Sequence, residues 1–179
     1  MKKKLVYLVG MIGFIFILAA CGNAEVQPVD INEATDTCEV CNMAVVNNQY
    51  ATQIILENGK SMVFDDVGCM YEWILSNENE EMKAQFVRDY HDKEWLLVDD
   101  ATYVYNQSIK TPMAYNVISF KDKAAAEAFA VENAGSTLMT AAELAEHSWE
   151  RNQDMMKGHN KENHSHSDTD EEDESDTSH

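Results

Sequence analysis

The chain has 179 residues, 45% of them hydrophobic, and 13 Lys+Arg against 32 Asp+Glu give a formal net charge of −19. That length is enough for one domain of ordinary size with flanking segments. The negative balance excludes nucleic acid as a partner, because phosphate repulsion would have to be overcome. It also disfavours lying flat on anionic lipid, and it concentrates cations without selecting among them.

Residues 1–20 read as an export signal: Lys2, Lys3 and Lys4, an apolar run over 5–18, then small residues before Cys21. The Leu18-Ala19-Ala20-Cys21 sequence resembles the lipobox of bacterial lipoproteins. A single transmembrane anchor is the competing reading, but the run falls short of the roughly 20 residues that span a bilayer. The chain is therefore expected on the extracytoplasmic face of the cell membrane, anchored by a lipid on Cys21. Residues 21–35 are expected to be a tether, 36–157 the folded domain, and 158–179 a disordered, acidic, His-rich tail.

Within the domain, residues 50–56 and 61–64 are β-prone and flank Asn58-Gly59, the strongest short hairpin signal. Asp65 or Asp66 then stands as a helix N-cap, and Val67, Met70, Tyr71, Ile74 and Leu75 recur at helical spacing. A strand follows over 84–90. The order then repeats, with strands over 95–98, 102–105 and 115–120. An Ala-rich helix opens at Asp122 with Ala125, Ala128 and Phe129 on one face, and ends near Gly135. A short strand over 136–139 leads to a last helix, where Thr140 and Glu143 form a capping box. The expected fold is α+β: two similar strand-strand-helix-strand halves plus a C-terminal helix.

Apart from Cys21, the thiols are Cys38, Cys41 and Cys69. In Cys38-Glu39-Val40-Cys41-Asn42-Met43, a turn can aim both sulfurs at one ion, and the thioether of Met43 follows two residues later. Thiolate and thioether donors select Cu(I) and other soft ions, while calcium and magnesium take oxygen. Two readings compete: a redox or structural disulfide between Cys38 and Cys41, and a zinc site, which normally closes with four ligands. Cys69 could join the pair, but alone among apolar neighbours it reads as a small buried hydrophobe. Thr111-Pro112 superficially resembles the Thr-Pro beside thioredoxin-like active sites, yet the residues after Cys41 do not open a helix, which argues against catalytic redox chemistry. Met113 either offers its sulfur to a soft ion or packs under its loop. Met62, Met70 and Met82 read as core filling. His159, His164, His166 and His179 could hold divalent metal weakly, or simply belong to a solvated acidic segment.

Four motifs in order resemble the NosL family of nitrous oxide reductase accessory proteins: Cys38-x-x-Cys41-x-Met43, a hairpin, Phe64-Asp65-Asp66-Val67-Gly68-Cys69-Met70, and Thr111-Pro112-Met113 ahead of a strand and an Ala-rich helix. The resemblance spans about residues 37–144. It implies the repeated fold read above, related to the organomercurial lyase MerB. It also implies a membrane-anchored, non-enzymatic copper chaperone that supplies Cu(I) to a cuproenzyme client, nitrous oxide reductase. Carried over by motif, the metal positions are Cys38, Cys41, Met43 and Met113. The chain departs from the family pattern at residues 47–50, where relatives have a His and Gly-Pro, and at Ala114, where glycine is frequent. The alternatives from other classes are an extracytoplasmic thiol-disulfide reductase and a structural adaptor for a membrane-side partner.

Overall fold

A computed structural model describes residues 26–156. Cys21, the leader and the His-rich tail lie outside the described residues. No helix among the described residues is long and apolar enough to cross a membrane.

The Asn58-Gly59 turn does what its residues dictate. Gly59 takes a φ of 83°, and β1 (Thr52–Leu56) pairs antiparallel with β2 (Ser61–Phe64). Asp66 caps α1 (Val67–Ser76) by accepting from the Gly68 N–H. The chain then returns along the other side of β1 as β3 (Met82–Arg88). The second half repeats this route. β5 (Thr102–Tyr105) pairs with β6 (Val117–Phe120), α2 (Lys123–Glu132) crosses, and β7 (Thr137–Met139) returns beside β5. The capping box at Thr140 and Glu143 is present at the start of α3 (Ala141–Ala145). The sheets are ordered β2-β1-β3-β4, with β4 at Trp95–Leu97, and β6-β5-β7, so the hairpin-helix-strand unit recurs and the α+β fold is the one expected.

In three places the chain departs from the sequence reading. The strand expected over 95–98 in the second half is β4 (Trp95–Leu97), and it pairs with β3 instead. A tight turn makes this possible: Lys93, at a φ of 64°, donates its N–H to the Asp89 carbonyl, and no Asn-Gly pair advertises it. On α2, Ala126 is buried, with Ala125 and Phe129 packed beside it, whereas Ala128 is exposed. Lastly, the domain takes in part of the segment expected as tether. Ile31 is buried, and the buried Gln53 side chain exchanges hydrogen bonds of 2.7 and 3.0 Å with the backbone of Val29.

The halves share one core. Ile54, Phe64, Met70 and Val87 from the first meet Tyr103, Val117 and Leu144 from the second. Asp89 staples them, with one carboxylate oxygen accepting from the N–H groups of His91 and Asp92 and the other from Lys121. After α3 the chain crosses back over α1. Trp149 stacks on Tyr71 with ring centroids 4.7 Å apart, and Arg151 donates to Tyr115 and Glu72.

Candidate metal centre

The cysteine loop is closed by its own backbone. The Asn42 N–H donates to the Cys38 carbonyl at 3.0 Å, and the Cys38 N–H donates to the Met43 carbonyl at 2.8 Å. Asn42 absorbs the reversal at a φ of 59°, a left-handed conformation that asparagine tolerates better than most residues. The Glu39 N–H reaches the Val63 carbonyl at 3.2 Å and fixes the loop against β2. Both thiols therefore face the junction where β2 runs into α1.

That junction carries two adjacent aspartates with different tasks. Asp66 is buried and takes the cap: its Oδ1 accepts from the Gly68 N–H at 2.9 Å, and its Oδ2 accepts from the Met113 N–H at 3.0 Å. Asp65 is left to face the thiols, and Cys69 follows in the first turn of α1. The result is a group of four, Cys38, Cys41, Asp65 and Cys69, with one donor atom from each lying within 4.8 Å of every other. Cys38 and Cys69 are 0% exposed, Asp65 is 6% exposed, and Cys41 is half-buried.

The electrostatics follow from that packing. Cys38 is drawn down to about 4, first because the Cys69 thiol hydrogen-bonds its sulfur, and further by backbone N–H groups at residues 40, 41 and 65. The same contact, reinforced by burial, pushes Cys69 up. Burial raises Cys41 to about 12, and its thiol donates to Asp65 Oδ2 at 3.3 Å. Asp65 itself is raised to about 6, chiefly by burial and then by the negative Cys38 sulfur. Its other oxygen, Oδ1, is buried and has no hydrogen-bond partner among the described residues. A buried acceptor of this kind is costly unless something electropositive meets it. A thiophilic cation would meet it and would replace the protons that now hold the four acids together.

Thiol-disulfide exchange with another protein fits the arrangement poorly. Exchange needs an accessible thiolate. Here the thiol reachable from solvent, Cys41, is the one pushed up, and the low one, Cys38, is enclosed.

Of the residues singled out from sequence, Cys38 and Cys41 are brought together. Met43 ends the same loop and is 52% exposed. Met113 is half-buried against the core, and its N–H on Asp66 ties its loop to the base of α1. Ala114, which follows, has a φ of 60°, a conformation that glycine adopts at no cost. Sequence reasoning missed Asp65 as a site residue and left Cys69 as a buried hydrophobe. Cys69 is buried, but its sulfur joins the other two. The available signal was spacing: residues 65 and 69 bracket a helix start, so both can turn to the same side of it.

The profile of the NosL family matches residues 28–149. The chain belongs to the NosL family. The crystal structure of the copper chaperone NosL from Shewanella denitrificans has the same fold, with a TM-score of 0.55 at 20% identity over 64% of this chain and 92% of that one. A search of curated proteins returns no significant match. In this NosL-family chain the family motifs around residues 38–43, 64–70 and 111–113 all meet at the N-terminal end of α1.

Proposed function

We propose that this chain carries Cu(I) outside the cytoplasm, tethered to the membrane by a lipid on Cys21, and hands it to a cuproenzyme under assembly, nitrous oxide reductase by family resemblance. The observation that carries the reading is the convergence of three thiols, two of them fully buried, at the motif that defines the family resemblance. Three sulfur donors suit a soft monovalent ion. The NosL from Shewanella denitrificans, which shares the fold, is described as a copper chaperone.

A carrier must hold its ion and also let go of it. Cys38 and Cys69 form the enclosed side of the group, while Cys41 is half-buried and Met43 faces solvent. A client ligand would enter at the Cys41–Met43 edge, displace those donors first, and leave the inner thiols for last. Met113, held at the base of α1, supplies a further thioether to the carrier site.

The test is competition for Cu(I) between the reduced chain and a chromophoric Cu(I) chelator, for wild type and for Cys38→Ser, Cys69→Ser and Met43→Leu. Each thiol variant should lose about tenfold or more in affinity, and Met43→Leu less. Unchanged affinity in both Cys38→Ser and Met43→Leu ends the proposal. The anchor is tested by Cys21→Ser, which should move the chain from the membrane fraction to the soluble one. The client is tested by the copper content of nitrous oxide reductase from cells lacking the chain, which should fall.

A further inference from the structure

We propose that the free edge of the four-stranded sheet, β4 with the Val26–Pro28 segment beside it, rests on the membrane interface and turns the cysteine loop away from the bilayer. The inference rests on the lipid anchor at Cys21, and it adds a contact face and an orientation that anchoring alone does not give.

The path of the chain points to it. One row of residues crosses all four strands: Leu97 lies opposite Phe86, Phe86 opposite Gln53, and Gln53 opposite Val63. The segment that enters the domain follows this row from end to end. Val26, Gln27 and Pro28 line a groove with Phe86, Trp95 and Leu97 at the β4 end. Val29 is bonded to Gln53 on β1, and the Glu39 N–H donates to the Val63 carbonyl on β2. The chain thus enters at β4 and delivers its thiols at β2. Paired strands are about 4.8 Å apart, so three spacings put the two edges about 14 Å from each other. Cys21 stands five peptide links before Val26. Five links reach at most about 18 Å, so a lipid on Cys21 holds the β4 edge close to the bilayer surface.

The chemistry of that edge suits the interface. Leu97 and Val29 are exposed, and Trp95 is half-buried with the Arg88 guanidinium 3.9 Å from its ring centroid. An indole with a cation stacked on it is apolar in body and polar at its rim, which favours the level of the lipid headgroups. Trp95-Leu96-Leu97 carries none of the lysines, prolines or charges that ordinarily blunt a free sheet edge, so a covering surface is expected. Asp99 and Asp100 follow within a few residues, and they suit a zwitterionic interface and disfavour an anionic one. The opposite edge differs: β2 is covered at Val63 by the Glu39 backbone, and the Glu39 carboxylate lies 3.5 Å from Lys60.

The experiment uses the full lipidated chain on phosphatidylcholine vesicles whose acyl chains are brominated, since bromine quenches tryptophan at close range. The chain has three tryptophans. Trp95 stands on the β4 edge, Trp73 lies on α1 against Phe64, and Trp149 stacks on Tyr71 of α1. Brominated lipid should quench part of the emission, and Trp95→Phe should remove that quenching. The emission left from Trp73 and Trp149 should be the same in brominated and plain vesicles, because the α1 side faces away. Leu97→Asp should also remove the quenching while the chain still floats with the vesicles. Both variants spare the core, because Trp95→Phe keeps a ring against Phe86 and Leu97 is exposed. A floating chain whose emission is not quenched overturns this proposal and leaves the anchor standing. So does quenching that persists in Trp95→Phe or at full strength in Leu97→Asp. A wild-type chain that floats no better than Cys21→Ser overturns the anchor, and this orientation with it.

Discussion

Gly68 lies so close to Tyr115 that a Cβ on it would overlap the ring. Replacing a helical glycine with alanine ordinarily gains about 1 kcal/mol. Here the added methyl must instead push the ring aside and break the Tyr115 hydroxyl bonds to Glu72 at 2.6 Å and Arg151 at 2.9 Å. Gly68→Ala should therefore lower stability by about 2 kcal/mol, read as a lower denaturant midpoint at unchanged slope. It should also weaken ion binding, because Cys69 is the next residue. Asp65 gives a second prediction at this scale. Its carboxyl is raised from 3.8 to about 6, so between those pH values the folded chain holds a proton that the unfolded chain has released. That contribution is fully present below pH 3.8 and is lost as pH rises through about 6. The Cys38 thiol, drawn down to about 4, contributes in the opposite direction over the same window, because there the folded chain has released a proton that the unfolded chain keeps. Asp65→Asn removes the carboxyl's share, so stability in chemical denaturation should rise with pH across the window more steeply than in wild type. A slope identical to wild type would disprove the assignment.

Among the elements, the cysteine loop depends most on one backbone conformation. Asn42 turns the chain at a φ of 59°, and the two hydrogen bonds that close the loop exist only in that conformation. A β-branched residue there meets a steric cost of about 1–2 kcal/mol, whereas glycine meets none. Asn42→Val should lower both stability and Cu(I) affinity, and Asn42→Gly should leave the affinity within a few-fold of wild type. Equal losses in the two would mean that the asparagine side chain matters and not its backbone. The α1 start shows the same economy of parts. Asp66 holds α1 and the Met113 loop together through one carboxylate, which frees Asp65 to face the thiols.

At the scale of the molecule, two copies of one topology share a core, and the chain end locks them. Trp149 stacks on Tyr71 and packs edge-on against Tyr115, whose ring in turn backs Gly68. The segment after α3 therefore braces the helix that presents Cys69, although it contributes no donor to the group of four. Trp149→Ala should lower stability by about 3 kcal/mol in thermal or chemical unfolding. Ion affinity measured well below the melting point should fall less than it does on losing a thiol. If Trp149→Ala abolished ion binding while the fold persisted, the segment would be part of the site itself.

Much of the fold was legible because its signals are local. The Asn58-Gly59 turn, the helix start at Asp65-Asp66, the capping box of Thr140 and Glu143 and the pairing of Cys38 with Cys41 each depend on residues within a few positions of one another. The sheet that β4 joins was not legible, because strand pairing is a long-range choice and the turn at Lys93 carries no distinctive residue. The roles of Asp65 and Asp66 were equally closed to sequence, since either could cap and only the packing of the Met113 loop against α1 selects one. What the sequence by itself determined, then, is the order of elements, the family motifs and a sulfur-rich segment ahead of the first strand. Only the tertiary structure decided that Cys69 and Asp65 complete the group, because hydrogen bonding of the loop to β2 brings together residues 24 positions apart in the chain.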